Sequence, residues 1–217
     1  GISAGEQLAS ESGIDRLVCA DMGGTSFDIS LVVRGDVKFY DFNPVIDRWL
    51  CTTPLIHLLS LGAGGGSIAR VDGIFRSIEV GPESAGSEPG PACFNQGGTL
   101  PTVTDSDLVL GYLDAANYAA GTIKLNLRRA QRAIDDEIAE PLGIPLAQAA
   151  LAIKAKVDGN MAIGIGRELR AKGYEPARFT LLAYGGNGPL HACGIADAIG
   201  MKRIFVPPFS AVFSALG

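Results

Sequence analysis

Between Arg16 and Phe42 the apolar positions follow the two-residue period of extended chain. Leu17, Val18 and Cys19 run into Asp21, and beyond a glycine corner come Ile29, Leu31, Val32 and Val33. Arg34-Gly35-Asp36 makes a hairpin turn, after which Val37, Phe39, Tyr40 and Phe42 alternate. The segment predicts a three-stranded antiparallel meander. From about 50 to 104 Gly, Pro, Ser and Thr dominate, with short strands expected over 67–72 and 75–80. The rest of that stretch is expected as loop packed over a site, because it holds too many apolar residues for a solvated linker. After Pro101 the period lengthens to 3.6, and helices are predicted over 105–113, 127–142 and 145–172. In the last, Ala150, Ile153, Val157, Met161, Ile165 and Leu169 form the core-facing stripe. Its Gly159, Gly164 and Gly166 each disfavour helix by about 1 kcal/mol relative to Ala, which implies something packed close to that helix. A buried strand over 178–184, a glycine turn, a helix over 189–199 and a strand over 203–206 complete the pattern.

Composition adds one anomaly and several exclusions. Glycine supplies 29 of 217 residues, nearly twice the usual ~7%, and with 47% hydrophobic residues this signals backbone turns near a ligand rather than disorder. Eighteen basic against 23 acidic side chains leave a net charge of -5, and no basic run exceeds two residues. Nucleic acid and membrane surfaces are therefore not expected partners, since both need clustered positive charge. No stretch approaches the roughly 18 apolar residues of a membrane span. The four cysteines, Cys19, Cys51, Cys93 and Cys193, are scattered and join only His57 and His191, which suits a reducing cytoplasm better than a zinc site or a disulfide framework. With no initiating Met and no leader, the sequence is expected to be part of a longer chain.

The chemistry-bearing motifs are glycine turns. In DMGGTSFD, residues 21–28, Asp21 ends a strand and Gly23 and Gly24 make a tight hairpin whose N–H groups are available to an anion, with Thr25 and Ser26 as hydroxyl donors. Gly24 is expected to need a positive φ. A carboxylate repels phosphate, so Asp21 is expected to hold Mg2+ or its water shell; the alternative is a plain hairpin with an Asp beside it. In YGGNGPLHA, residues 184–192, Gly185, Gly186 and Gly188 allow a flat ring or a phosphate to approach, Pro189 suits a first helical turn, and the helix dipole favours negative charge. A plain strand-to-helix turn is the alternative, and His191 is read as locally hydrogen-bonded rather than catalytic. LGAGGGS, residues 61–67, is neither a Walker loop nor a Rossmann turn. GPESAG, residues 81–86, nearly matches a nucleophile elbow around Ser84 but has Pro82 where Gly belongs. In PTVTDSD, residues 101–107, Thr104 or Asp105 is expected to cap a helix, with metal or substrate contact by Asp105 or Asp107 as the alternative. His57, in LIHLL, is expected in the core.

Taken in order, DMGGTSFD, GAGGGSIARVD, VGPESAGSEPGPAC, PTVTDSDLVLGYL and YGGNGPLHA resemble the hydantoinase A/5-oxoprolinase superfamily, which includes subunits of the acetone and acetophenone carboxylases. The likeness runs from about Cys19 to Gly217. Phe27, GYEPARFTLLAYGG at 173–186 and PPFSAVFSALG at 207–217 are more similar to the ketone carboxylases than to the hydantoin or oxoproline hydrolases, whereas Asn187 and Arg70 depart from the expected pattern.

The resemblance implies an α/β fold: a ribonuclease-H-like lobe of the architecture shared by actin, sugar kinases and chaperone ATPases, its mixed sheet having an antiparallel N-terminal meander and flanking helices. Residues 1–217 would be the second, C-terminal nucleotide-binding lobe, with a Gly/Pro-rich insertion at about 50–104, the first lobe lying outside this sequence. It further implies ATP and Mg2+ as cofactors, Gly23, Gly24, Thr25 and Ser26 on the phosphates, Asp21 at the metal, and Gly185, Gly186, Asn187 and Gly188 on adenosine. The expected reaction is phosphoryl transfer to a ketone or bicarbonate ahead of carboxylation, within a cytoplasmic hetero-oligomer, and the isolated segment is expected to be inactive. An ATP-dependent hydantoin or oxoproline hydrolase acting on a cyclic amide is the alternative, and a chaperone-like or non-catalytic assembly ATPase is another. No residue is identified as the catalytic base.

Overall fold

A computed structural model describes residues 1–39, 45–53 and 55–216. The chain begins with α1 (Ile2–Ser12), β1 (Arg16–Met22), β2 (Phe27–Val33), β3 (Asp36–Val37), β4 (Val45–Ile46), β5 (Trp49–Leu50) and β6 (Leu59–Leu61). It continues through β7 (Ser67–Val71), β8 (Ile78–Ser84), α2 (Val103–Val109), α3 (Leu127–Ile134), α4 (Glu140–Leu142) and α5 (Leu146–Ala171). It ends with β9 (Thr180–Tyr184), α6 (Gly188–Ile199) and β10 (Arg203–Phe205). Two compact units divide it: Gly1–Asp21, Asp28–Ser60 and Ile165–Gly217 make one, and Met22–Phe27 with Leu61–Gly164 the other.

The first unit is built on a mixed sheet of order β10-β9-β1-β2-β3, with β6 on β2 off that path. β1 runs parallel to β9, Leu17 opposite Thr180 through Asp21 opposite Tyr184, and β10 runs parallel to β9. β2 and β3 are antiparallel, Val32 opposite Val37. Leu17–Ala20 and all of β9 are buried, as expected of central strands covered on both faces. One core cluster joins Ala9, Leu17, Cys19, Val32, Leu182 and Phe213. This is the expected α/β arrangement, a meander at one edge and parallel strands at the other. The third strand is shorter than predicted: it ends at Val37, Phe39 makes an isolated bridge to Ile56, and Tyr40 and Phe42 lie outside the described residues. Helix α1 is not foreseen by the apolar pattern because its buried face is made of Gly5 and Ala9. A Cβ on Gly5 would stand 2.6 Å from Cys19 Sγ.

In the second unit β7 and β8 pair as an antiparallel hairpin. β8 starts at Ile78 rather than Phe75 because Asp72 Oδ1 accepts the N–H groups of Ile74 and Phe75 at 2.8 and 2.6 Å, folding 72–77 into the turn. The cap of α2 is Thr102, and Asp105 completes a capping box from the third helical position, which corrects the expectation of Thr104 or Asp105 as the cap. The predicted 127–142 helix is continuous but widens to π-type hydrogen bonding over Asp135–Ala139, where Glu140 N–H donates to the Asp135 carbonyl. Pro141 accounts for this, having no N–H to offer one turn back.

Helix α5 matches its prediction to within a residue at either end, and its six-residue stripe is buried. Two of its three glycines, Gly159 and Gly166, do not behave as expected. A Cβ on Gly159 would meet nothing within 4 Å, and on Gly166 only the guanidinium of Arg170 from the same helix, nearest at 3.0 Å. Close packing therefore does not explain Gly159. Gly159→Ala should stabilise the protein by up to about 1 kcal/mol, read as a higher denaturant midpoint at unchanged slope. A lower midpoint would mean that something does pack there.

The cysteines are free, Cys19 and Cys93 buried, Cys51 half-buried and Cys193 exposed. Burial pushes the Cys19 thiol up to about 12, and burial followed by the Asp105 carboxylate raises that of Cys93. A disulfide reagent at about pH 8 should modify Cys193 first and Cys51 next, leaving Cys19 and Cys93 to react only on unfolding. Rapid release of four equivalents from folded protein would contradict this packing.

Candidate functional site

The DMGGTSFD corner turns tightly from β1 into β2. Gly23 N–H donates to the Ser26 carbonyl at 3.1 Å. Neither Gly23 nor Gly24 has a positive φ, and a Cβ on Gly24 would meet nothing within 4 Å, so the expected backbone strain is absent. Gly24 and Thr25 are exposed, and their N–H groups make no hydrogen bond among the described residues. The fold does not demand a glycine at 24; it leaves two adjacent amides facing solvent.

What holds this corner is the LGAGGGS loop. Gly65 N–H donates to Gly23 O at 3.1 Å and Gly66 N–H to Gly24 O at 2.7 Å. A Cβ on Gly64 would lie 2.6 Å from both Gly24 C and Thr25 N, a distance that no side chain tolerates. The loop is pinned in turn by two more motifs. Thr104 donates to Gly65 O through its N–H and its hydroxyl, both at 2.8 Å, and Ala85 N–H donates to Gly66 O at 2.8 Å. Asp105 is fully buried and accepts from Ala92 N–H, Cys93 N–H, Thr102 N–H and the Thr102 hydroxyl at 3.2, 2.7, 2.9 and 2.8 Å. Its carboxylate has no face left for substrate, so its role is to fasten residues 92–93 to the start of α2. Four sequence motifs thus meet in this unit. The sequence identifies Gly23, Gly24, Thr25 and Ser26 but not the contributions of Gly64, Gly66 and Thr104, for which three consecutive glycines were the available signal.

The other candidate residues belong to the first unit. Asp21 and Tyr184 face each other at the carboxyl ends of parallel β1 and β9, the position where open α/β sheets receive ligands. Ser214 Oγ donates to Asp21 Oδ2 at 2.5 Å. Gly185 follows with φ +83 and its N–H donates to Ser210 O at 2.9 Å; Gly186 is exposed, with open space where a Cβ would stand. Asn187 is buried at the cap of α6, and Gly188 and Pro189 begin that helix. The chain therefore brings Asp21, Gly185, Gly186, Asn187 and Gly188 to the carboxyl end of two central strands, with a helix N-terminus beside them. His191 is wholly buried, in keeping with a structural role.

One expectation needs correction. His57 is not an apolar-core histidine: it is half-buried, its Nδ1 lies 3.1 Å from Glu168 Oε1, and Lys172 Nζ lies 3.7 Å from the same oxygen. Ser84 Oγ accepts Gly86 N–H at 3.1 Å, in keeping with the departure from a nucleophile elbow that Pro82 already marks in the sequence.

Comparison with known proteins connects these features. The acetophenone carboxylase gamma subunit of Aromatoleum aromaticum is 46% identical over 217 residues, covering 100% of this chain and 29% of its own length. Nucleotide-free acetone carboxylase superposes with a TM-score of 0.89 at 35% identity, over 99% of this chain and 30% of that one. The ATP-dependent caprolactamase of Pseudomonas jessenii superposes with a TM-score of 0.87 at 41% identity, over 98% and 30%. This chain thus spans about a third of the length of these relatives. The sequence profile of the hydantoinase/oxoprolinase family matches residues 1–217 throughout, and the chain belongs to that family.

Proposed function

We propose that this chain is the second nucleotide-binding lobe of an ATP-dependent enzyme that phosphorylates the carbonyl oxygen of a small acceptor. The observation that carries the reading is the pair of exposed amides on Gly24 and Thr25, on a corner whose carbonyls are already engaged by Gly65 and Gly66. Such a corner presents donors without having to rearrange, which is what charge building on a transferring phosphoryl group requires. Thr25 and Ser26 add hydroxyls, and residues 185–188 with the start of α6 suit adenosine. Magnesium is commonly held by one or two carboxylates plus phosphate and water, and Asp21, half-buried at a strand end, fits that donor set. Bound Mg-ATP supplies the phosphoryl group and a countercharge for it; the chain's own residues bind, orient and exclude water.

For the whole protein we infer ATP-dependent carboxylation of a ketone within a hetero-oligomer of the reducing cytoplasm. The 46% identity to a subunit of acetophenone carboxylase supports this. Opening of a cyclic amide is the second reading, supported by the 41% identity to an ATP-dependent caprolactamase.

Two glycine variants of the full-length protein separate ligand approach from folding. Gly24→Ala should keep its melting temperature and lose at least about tenfold in ATP affinity, since the added methyl meets only the ligand. Gly64→Ala should be destabilised by about 1–3 kcal/mol, the scale of forced overpacking. Undiminished ATP affinity in Gly24→Ala would sink the phosphate assignment. For Asp21→Asn, ATP turnover should fall by about 10²- to 10³-fold at similar size and stability. Retention of more than half the phosphate-release rate would remove Asp21 from the metal shell.

A further inference from the structure

The nucleotide reading leaves residues 81–91 without a role, yet they border its central corner. Gly66 stands between the two: a methyl placed on it would lie 2.8 Å from Ser84 Oγ and 3.0 Å from Gly24 O. Ser84 is therefore separated from the Gly24 backbone by little more than the space that one glycine leaves open. Its oxygen accepts Gly86 N–H at 3.1 Å, an arrangement that turns a lone pair toward the turn and directs the O–H elsewhere to donate.

Ser84 also lines a cleft of about 380 Å3 between residues 84–90 and 97–100, within the roughly 300–1,000 Å3 range of small-molecule sites. Ile68, Pro89 and Leu100 give it an apolar wall, and Ser84, Glu88 and Thr99 are its polar side chains. No lysine or arginine lines it, so an anionic ligand finds no countercharge there. The two other clefts described in this unit differ on that point, one lined by Lys156 and Glu79, the other by Arg129, Arg132 and Asp136, and neither borders Ser84 or Gly66.

We propose that this cleft is the acceptor subsite, binding a small neutral carbonyl compound with its oxygen on the Ser84 hydroxyl and its apolar body against Ile68, Pro89 and Leu100. The assignment rests on the nucleotide reading above and supplies the base that the sequence leaves unnamed. In the transfer, the acceptor oxygen bonds to the γ-phosphorus as the bond to ADP breaks, and the proton lost from the adjoining C–H or N–H passes to Glu88. A ketone and a lactam both meet this description.

The test uses the full-length protein assembled with its partner subunits and two acceptor arms, a methyl ketone with bicarbonate and a six- or seven-membered lactam. ADP formation is followed against acceptor concentration, and ATP affinity is measured separately with a fluorescent ATP analogue. Ser84→Ala and the cleft-filling Leu100→Trp should each raise the acceptor KM at least about tenfold while the nucleotide Kd stays within about twofold. Glu88→Gln should lower kcat by about 10²-fold with a smaller effect on KM. The arm that responds identifies the acceptor. Unchanged acceptor KM in both Ser84→Ala and Leu100→Trp overturns the proposal, as does a parallel loss of ATP affinity in both. Turnover of neither acceptor by wild-type protein that still binds ATP overturns this assignment alone, whereas absence of ATP binding in the wild type defeats the nucleotide reading and the subsite with it.

Discussion

Two stretches of bare backbone cross at a separation that leaves no room for a methyl group, Gly64 against the peptide between Gly24 and Thr25. Only glycine permits that approach, and the approach in turn sets the register of everything around it. Gly65 and Gly66 donate to the carbonyls of Gly23 and Gly24, so this loop holds the corner through its acceptors. Its donors at 24 and 25 can then stay exposed while the corner stays rigid. An unsupported hairpin would be free to fold its amides back onto its own carbonyls, so the second glycine run is what keeps the first one open.

Rigidity at that crossing is passed outward through Asp105. Burying a carboxylate costs several kcal/mol unless donors replace the lost water, and here four donors do so. Two of them belong to residues 92–93 and two to Thr102, whose isolated bridge to Ile68 lies next to the glycine loop. One fully buried acid therefore ties the proline-rich stretch, the start of α2 and the loop's flank into one body. The raised thiol of Cys93 is a side effect of the same negative charge in the same dry place.

How legible an element was depended on the range of the interaction that forms it. Helix α5 could be read to within a residue because its stripe from Ala150 to Leu169 is a local 3.6-residue pattern. Strands β1, β2 and β9 were legible as short, nearly continuous apolar runs, the local signature of a strand buried on both faces. Helix α1 was not, since Gly5 and Ala9 form its buried face and owe that burial to Cys19 on the next strand and to Leu182, far along the chain. The start of β8 was misplaced because one side chain, Asp72, captured two amides that the alternation had assigned to a strand. At the candidate site, the corner at 21–28 and the turn at 184–188 stood out as glycines between apolar strands. The partner of the corner did not, because a run of glycines says that backbone comes close without saying to what.

The same residue type carries three different meanings in this chain, and only the neighbours distinguish them. Gly64 is glycine because a side chain would strike backbone; its reason lies within the fold. Gly159 has open space around its missing Cβ, but it sits in the interior of a helix, where an amide is engaged along the ladder, so the open space points to nothing. Gly24 also has open space, and there the residue and its neighbour are exposed and their amides have no acceptor among the described residues. Open space alone is weak grounds for a ligand, and unengaged amides alone are common in loops. Their coincidence at a corner braced by another segment of chain is uncommon, because bracing restricts the backbone at an entropic cost of roughly 1–2 kcal/mol per residue. The hydrogen bonds of the brace offset part of that cost, and the rigidity they leave at the corner supports the proposal that the amides of Gly24 and Thr25 receive an anion.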